Sequence, residues 1–378
     1  MNEPERIVTG RLIHKSIAVL ATASVIALSI YLTRDSEFAS NEVMAAEVLA
    51  WRAAPPPEAA ATAATAFLDA LDEKQKGAAA LEFDNAKKPN WSNFPTSFVP
   101  RNGVRMGDLS KEQRAKAMAV VAAVLSKEGY QKVLDIVEGD QKLAEQAGKG
   151  GGKGGKGKDG DKGGKGGGAM FGAAEYYLAI FGAPSETKPW MVQFGGHHLG
   201  VNVTVVGKSF ILTPTHTGAQ PGLYKRDGKD VRPLGAEADT ALKLLTALDE
   251  KQRGQAVIGN RTQNLVLGPG QDTKTVDVKG IKGADLTADQ QKLLLDVIAA
   301  WINIGEPEAA AVRMKEIKEQ IGDTHFAWSG PTDKAAVGYF RIQGPTVIIE
   351  YAPQGGSDHI HTVIRNPKDE YGAGSIKR

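Results

Sequence analysis

Apolar residues recur at helical spacing in two stretches, Ala117 to Leu125 and Leu293 to Ile302. A helix-start signal precedes each, Asp108-Leu109-Ser110 in one case and Asp285-Leu286-Thr287 in the other, so both are expected to be amphipathic core helices. Strand composition follows each helical block. Trp190 to Phe194 leads into His198 to Val206, and Tyr339 to Ile342 leads into Thr346 to Tyr351. The hairpins then continue through Gly207 into Phe210-Ile211-Leu212, and through Gly356 into His359-Ile360-His361. The pattern therefore runs from helix to strand twice.

The repetition extends to individual residues. Ala70-Leu71-Asp72-Glu73-Lys74-Gln75 recurs as Ala247-Leu248-Asp249-Glu250-Lys251-Gln252, an offset of 177. Asp108-Leu109-Ser110 with Gln113 recurs at the same offset as Asp285-Leu286-Thr287 with Gln290, and Val120 to Ala123 falls on Val297 to Ala300. In the strand blocks the offset drops to about 148, because the first half carries an insertion. There Gly196 matches Gly344, Leu199 matches Val347, Val201 matches Ile349 and Asn202 matches Glu350. The expectation is an α+β fold: an internally duplicated unit of helical segment plus β-hairpin, packed as one pseudo-twofold domain over residues 67–378, with halves of about 67–235 and 236–378.

Three segments stand apart from that body. Ser16 to Thr33 carries no charge and is flanked by Arg6, Arg11 and Lys15 on one side and Arg34 and Asp35 on the other. This is the asymmetry of an export segment, a signal anchor or a signal peptide, with residues 1–15 left on the cytoplasmic side. Its length, and the distance to the small-residue site at Val43-Met44-Ala45, favour an anchor. The protein is thus expected to be exported and either membrane-anchored through residues 16–33 or secreted into the cell envelope. Residues 34–66 read as an Ala/Pro-rich spacer; within it 53–66 are Ala, Pro and Thr with a single Glu, and the second half of that stretch could start a helix. Residues 148–168 contain only Gly, Lys and Asp and are expected to form a disordered surface loop, having no apolar side chain to offset the entropy of ordering.

Composition removes several chemistries. The absence of cysteine excludes disulfides, thiolate metal sites, iron-sulfur clusters and a cysteine nucleophile. Basic and acidic residues nearly cancel, 46 against 44, and much of the small excess lies in the Gly/Lys tract, so no nucleic-acid partner is indicated. No hydrolase elbow, phosphate loop, dinucleotide fingerprint or His-Glu-x-x-His occurs, and neither a nucleotide nor haem is implied. Any metal must be held by imidazole, carboxylate or backbone oxygen.

Histidine is where candidate chemistry concentrates. His359 and His361 are two apart on an expected strand, so both imidazoles leave one face and can reach one ion, although two edge-strand histidines with ordinary hydrogen bonds would read the same. His198 lies on the matching hairpin of the first half and would complete a three-histidine set if the hairpins meet. His197 would point the opposite way on a regular strand, and the face of Glu350 depends on the hairpin register, so these two and His216 are weaker ligand candidates. Glu350, Arg341 and Tyr339 are candidate catalytic groups, and Arg341 with Gln343 equally suits the solvated side of a strand. Asp358, Arg365 and Asp369 flank the His-x-His strand and are candidates to orient its rings. Thr213 to Gly222 is a polar loop placed where binding groups are often carried.

Gly196-His197-His198-Leu199, Thr213-Pro214-Thr215 with Gly218-Ala219, Arg232-Pro233-Leu234-Gly235 and Phe326-Ala327-Trp328-Ser329-Gly330 occur in that order. They are followed by Gln343-Gly344-Pro345 with Ile349-Glu350-Tyr351, and by His359-Ile360-His361-Thr362 with Arg365. Over roughly residues 60 to 375 this combination resembles the uncharacterised bacterial family known as domain of unknown function 3500. The resemblance brings no reaction with it. The Gly/Lys tract, and His216 where an aromatic residue is expected, depart from the family pattern. The residues themselves lead to an extracytoplasmic metalloprotein holding zinc or copper through His198, His359 and His361, with metal-dependent chemistry on an envelope or small-molecule substrate. The competing reading is a non-enzymatic envelope module that binds a ligand or a partner protein.

Overall fold

The computed structural model describes residues 56–150, 171–333 and 338–377. The segment expected to direct export, 16–33, and residues 151–168 of the Gly/Lys tract lie outside them; among the described residues no helix is long and apolar enough to cross a membrane.

The fold is mixed α+β. Its eight described α-helices are α1 (Pro56–Asp69), α2 (Glu73–Ala79), α3 (Lys111–Ala123), α4 (Lys127–Gly150), α5 (Gly235–Ala247), α6 (Glu250–Ala256), α7 (Ala288–Ile302) and α8 (Pro307–Glu319). Helix α1 begins inside the stretch expected to be a spacer. Pro56 starts a run of small helix formers whose Ala59, Ala60, Ala63 and Ala64 are buried together with Phe67 and Leu68, so the body begins about ten residues earlier than expected.

Ten strands form the path of one large sheet. They are β1 (Ala80–Leu81), β2 (Tyr177–Phe181), β3 (Trp190–Gly195), β4 (Leu199–Val206), β5 (Thr215–Ala219), β6 (Val257–Gly259), β7 (His325–Ser329), β8 (Tyr339–Gln343), β9 (Ile348–Pro353) and β10 (Ile360–Arg365). Their order is β1-β2-β3-β4-β5-β10-β9-β8-β7-β6, and three short strands off this path bring the sheet to thirteen. First-half strands thus fill one end in chain order, and second-half strands fill the other in reverse. They meet where β5 and β10 pair antiparallel, with Thr217 opposite Thr362, His216 opposite Val363 and Gly218 opposite His361.

Alternation along that seam sorts the side chains. Thr217 and Thr362 point to the helix-covered face, where their hydroxyls lie 2.7 Å apart and Trp301 Nε1 on α7 donates to Thr362 Oγ1 at 3.0 Å. Two apolar clusters lie on that side. One joins α1 and α3 to Trp190, Val192 and Val203, and the other joins α5 and α7 to Phe326, Phe340 and Ile349. His216, Gly218, His361 and Val363 face the other way.

The repeated motifs have a physical role. Asp72 and Gln75 form a capping box at α2, and Ser110 and Gln113 form one at α3. Gln113 Nε2 then donates to Gln75 Oε1 at 2.8 Å and to the Ala70 carbonyl at 2.8 Å, locking the two caps together. In the second half Gln290 Nε2 donates to Gln252 Oε1 at 2.7 Å and to the Ala247 carbonyl at 2.8 Å, from the same two boxes at α6 and α7. Each half also places a glycine with positive φ against a strand backbone. A Cβ on Gly103 (φ +97) would sit 2.2 Å from the Leu178 oxygen, and one on Gly280 (φ +92) would sit 2.1 Å from the Phe326 oxygen. Both close contact and backbone conformation forbid a side chain there. Gly103→Ala and Gly280→Ala are each expected to destabilise the fold by more than about 2 kcal/mol, read as a lower midpoint in denaturant unfolding with little change in slope.

Candidate metal centre

The centre lies over the β5–β10 seam, on the side to which His361 and Gly218 point, and the second half of α4 reaches it through Asp140. Gly196, His197 and His198 form the tight connection between β3 and β4, closed by the Gly196 N–H donating to the Leu199 carbonyl at 2.9 Å. The strand expected from His198 onward begins one residue later, at Leu199. His197 therefore sits in a turn rather than on a pleat, and it joins His198 on the same side instead of pointing away. His359 lies at the end of the β9–β10 hairpin, and His361 lies inside β10 opposite Gly218. The glycine makes the room: a Cβ on Gly218 would lie 3.0 Å from the His198 ring and 3.2 Å from the His361 ring.

Four imidazoles converge. His197, His198, His359 and His361 each offer a ring nitrogen, and these atoms all lie within 4.8 Å of one another. His198 Nε2 is 3.2 Å from His359 Nε2, which is 3.0 Å from His361 Nε2. Ligand nitrogens about 2.0 to 2.1 Å from a tetrahedral zinc stand roughly 3.3 to 3.4 Å apart, so these rings need to open only slightly to surround an ion.

The groups behind the rings differ from those expected. His198 Nδ1 is paired with Asp140 Oδ1 of α4, whose other oxygen accepts a 2.7 Å hydrogen bond from the Tyr176 hydroxyl. The Asn93 amide lies 3.1 Å from His361 Nδ1. The candidates flanking β10 are engaged elsewhere. Arg365 donates to the Leu267 and Gly268 carbonyls and pairs with Glu370, Asp369 accepts from Ser375 and Gly374, and Asp358 accepts from the Gly222 N–H at 3.3 Å. Asp140 escapes a sequence reading because nothing local marks it: it is one acid among several on a long helix, and only packing against β5 brings it to His198.

Burial favours the ligand-competent neutral form of several rings. Desolvation first, and the neighbouring imidazoles second, lower His197 to about 2 and His361 further still. Desolvation, with His198 adding to it, lowers His359 to about 4. Neutral rings carry one proton each, and this creates a conflict. A His198 that gives Nδ1–H to Asp140 and carries no second proton presents a lone pair at Nε2. A proton on His359 Nε2 has one good direction, toward His198 or toward His361. If Asn93 donates to His361 Nδ1, the His361 proton sits on Nε2 and points into the cluster; with the amide turned over that proton sits on Nδ1 and a His361 lone pair faces inward, and a His359 proton placed on Nδ1 adds a third. A cation at the centre satisfies all three nitrogens at once in that second state.

His216 stands beside the group rather than in it. Its ring centroid is 5.5 Å from that of His361, its Nδ1–H donates to the Thr362 carbonyl at 2.7 Å, and it packs on Trp91. Desolvation lowers it to about 4.

Glu350, Tyr339 and Arg341 form a separate buried network. Arg341 pairs across the sheet with Glu350, whose carboxylate accepts from the Val266 N–H at 3.1 Å, the Leu267 N–H at 2.6 Å and the Tyr339 hydroxyl. Arg341 donates to the Asp277 carbonyl at 2.8 Å and Gln343 to the Val276 carbonyl at 2.9 Å, so these groups pin the segment around residues 266–277 to the sheet. Gln193, cross-strand from Asn202, does the same in the first half by donating to the Lys88 carbonyl at 2.8 Å.

Residues 54–373 match the family model described as Protein of unknown function (DUF3500), and the chain belongs to that family. No curated protein and no solved structure matches it.

The two polar clusters are separable by mutation. Glu350→Ala leaves two backbone N–H groups and a phenol without their acceptor, at an expected cost of about 1 to 3 kcal/mol. Unfolding should reveal that loss, while metal binding titrated on the folded variant stays at the wild-type value.

Proposed function

For a member of a family without a known activity, we propose an envelope metalloprotein that holds one zinc or copper ion through the Nε2 atoms of His198, His359 and His361, with His197 alongside. The observation that carries this reading is the convergence of ring nitrogens from His197, His198, His359 and His361 within 4.8 Å, with His359 Nε2 3.2 Å from His198 Nε2 and 3.0 Å from His361 Nε2. Ordinary core histidines avoid such contacts by bonding to carbonyls, as His216 does. Imidazole donors suit zinc and copper alike. Support for the envelope location is the uncharged run from Ser16 to Thr33 and its flanking charges.

The chemistry to test is metal-dependent action on a small molecule or an envelope polymer. Three protein ligands leave a coordination position open, and a metal with an open position supplies Lewis acidity toward water or a site for redox chemistry. Should His197 enter the shell, the site closes and becomes a structural or binding metal centre. The alternative of a non-enzymatic binding module rests on that closed arrangement.

We also read the chain as a tandem duplication whose pseudo-twofold axis passes through the Thr217–Thr362 pair. In support are the mirrored strand order, the matching capping networks and the two glycines with matching close contacts. On this reading the metal draws ligands from both halves, and its binding should tie them together.

Elemental mass spectrometry on residues 46–378, purified without an affinity tag, tests the proposal. About one equivalent of zinc or copper is expected in the wild type and little in His359→Ala/His361→Ala. Metal at about a hundred times its dissociation constant should raise the wild-type unfolding free energy by about 2.7 kcal/mol. A wild-type chain that takes up neither metal on reconstitution overturns the reading.

A further inference from the structure

Three ligands of the proposed site are supported unequally. His359 sits on the hairpin bend, half-buried. His361 rests on an amide that faces it from 3.1 Å and presents either polarity. His198 is fully buried and meets a carboxylate that is itself 1% exposed.

That carboxylate is held from both sides. Asp140 Oδ2 accepts from Tyr176, and burial, reinforced by the carboxylate, raises the phenol so that it remains a donor at neutral pH. Tyr176 is in turn wedged by Phe194, whose ring centroid is 5.5 Å away, and by Gly196, where a Cβ would lie 3.0 Å from the tyrosine ring. The glycine before the two histidines therefore lets the turn lie flat on the ring that steadies Asp140. A buried carboxylate left with one hydrogen bond is costly, and Asp140 finds its second partner in the histidine.

Resting on the metal-site reading above, we infer that Asp140 is a positioning residue for the metal. It fixes the proton of His198 on Nδ1, aims Nε2 into the cluster and increases the basicity of that nitrogen, which makes His198 the anchoring ligand. Tyr176 supports it from behind. A carboxylate in this role adds about ten- to a hundredfold to metal affinity. It also lowers the net positive charge of a loaded, water-poor site, a contribution that a neutral amide of the same shape cannot make.

Asp140→Asn keeps the size and an acceptor oxygen while removing the charge; Tyr176→Phe removes only the outer hydrogen bond. The full chain, kept in mild detergent and stripped of metal, is titrated with zinc against a chromophoric chelator and with cobalt by visible absorption. Zinc affinity is expected to fall about ten- to a hundredfold in Asp140→Asn and severalfold in Tyr176→Phe. The cobalt bands should shift in both, which a purely structural role would not produce at saturating metal. If Asp140→Asn does not fold, Tyr176→Phe decides by the same two readings. Unchanged affinity and spectrum in the variants overturn the inference while leaving the metal site standing. A wild-type chain that binds neither zinc nor cobalt removes the site itself, and the inference with it.

Discussion

Everything distinctive about this protein depends on one strand pairing, the antiparallel contact between β5 and β10. It joins two runs of strands that would otherwise each end in an open edge, and so converts two half-sheets into one. It also fixes parity. With Thr217 opposite Thr362 and both facing Trp301, the neighbours His216, Gly218, His361 and Val363 must face the other way. A slip of one residue would bury His361 among apolar side chains and present the threonine to the cluster. The two hydroxyls, bonded to each other and to the indole, penalise that slip because it would strand three polar groups in the core.

The far face tolerates what the near face cannot. On the helix side, space is filled by Leu, Ile, Val and aromatic residues in two continuous clusters. On the other side the sheet carries cross-strand polar pairs, Gln193 with Asn202 and Arg341 with Glu350, and each reaches into a loop for main-chain partners. Long irregular loops need their backbone groups satisfied, and buried polar side chains need partners; each requirement meets the other. Arg101 shows the same economy beside the histidines, donating to the carbonyls of Ser92 at 2.8 Å and Gly196 at 2.9 Å and so tying the loop that carries Asn93 to the turn that carries His197 and His198.

Much of this was legible in the chain because its signals are local. Periodicity located α3, α7 and the strands β3, β4, β8 and β9, and the family resemblance seen in the sequence agrees with the matched family model. The His-x-His spacing pointed to His359 and His361 as a pair, but only His361 lies on β10; His359 falls in the bend just before it, so the hairpin bend and not strand alternation brings the two rings together. His197 was misread because parity holds only while the strand lasts, and the Gly196–Leu199 turn ends it one residue too soon. The early start of α1 was hidden by alanine, which serves a spacer and a close-packed helix equally well. Asp140 and Asn93 carried no readable signal: one sits on a long helix and the other in an irregular loop, and each acquires meaning only through contacts with residues far along the chain.

The halves do not contribute alike to the histidine cluster, and the difference is informative on the duplication reading. Gly196-His197-His198-Leu199 corresponds to Gly344-Pro345-Thr346-Val347, and both turns close with the same hydrogen bond, 2.9 Å in one and 2.7 Å in the other. The backbone device is shared, while the imidazoles occur on one copy. Across the seam, His361 lies where the axis would place His216, yet one ring opens into the cluster and the other turns its Nδ1–H to a carbonyl. A symmetric seam thus supplies a rigid frame, and side-chain differences between the copies concentrate all four converging rings on one side of it. Crowding four imidazoles within 4.8 Å, with a carboxylate behind one of them, makes physical sense when a cation occupies their centre.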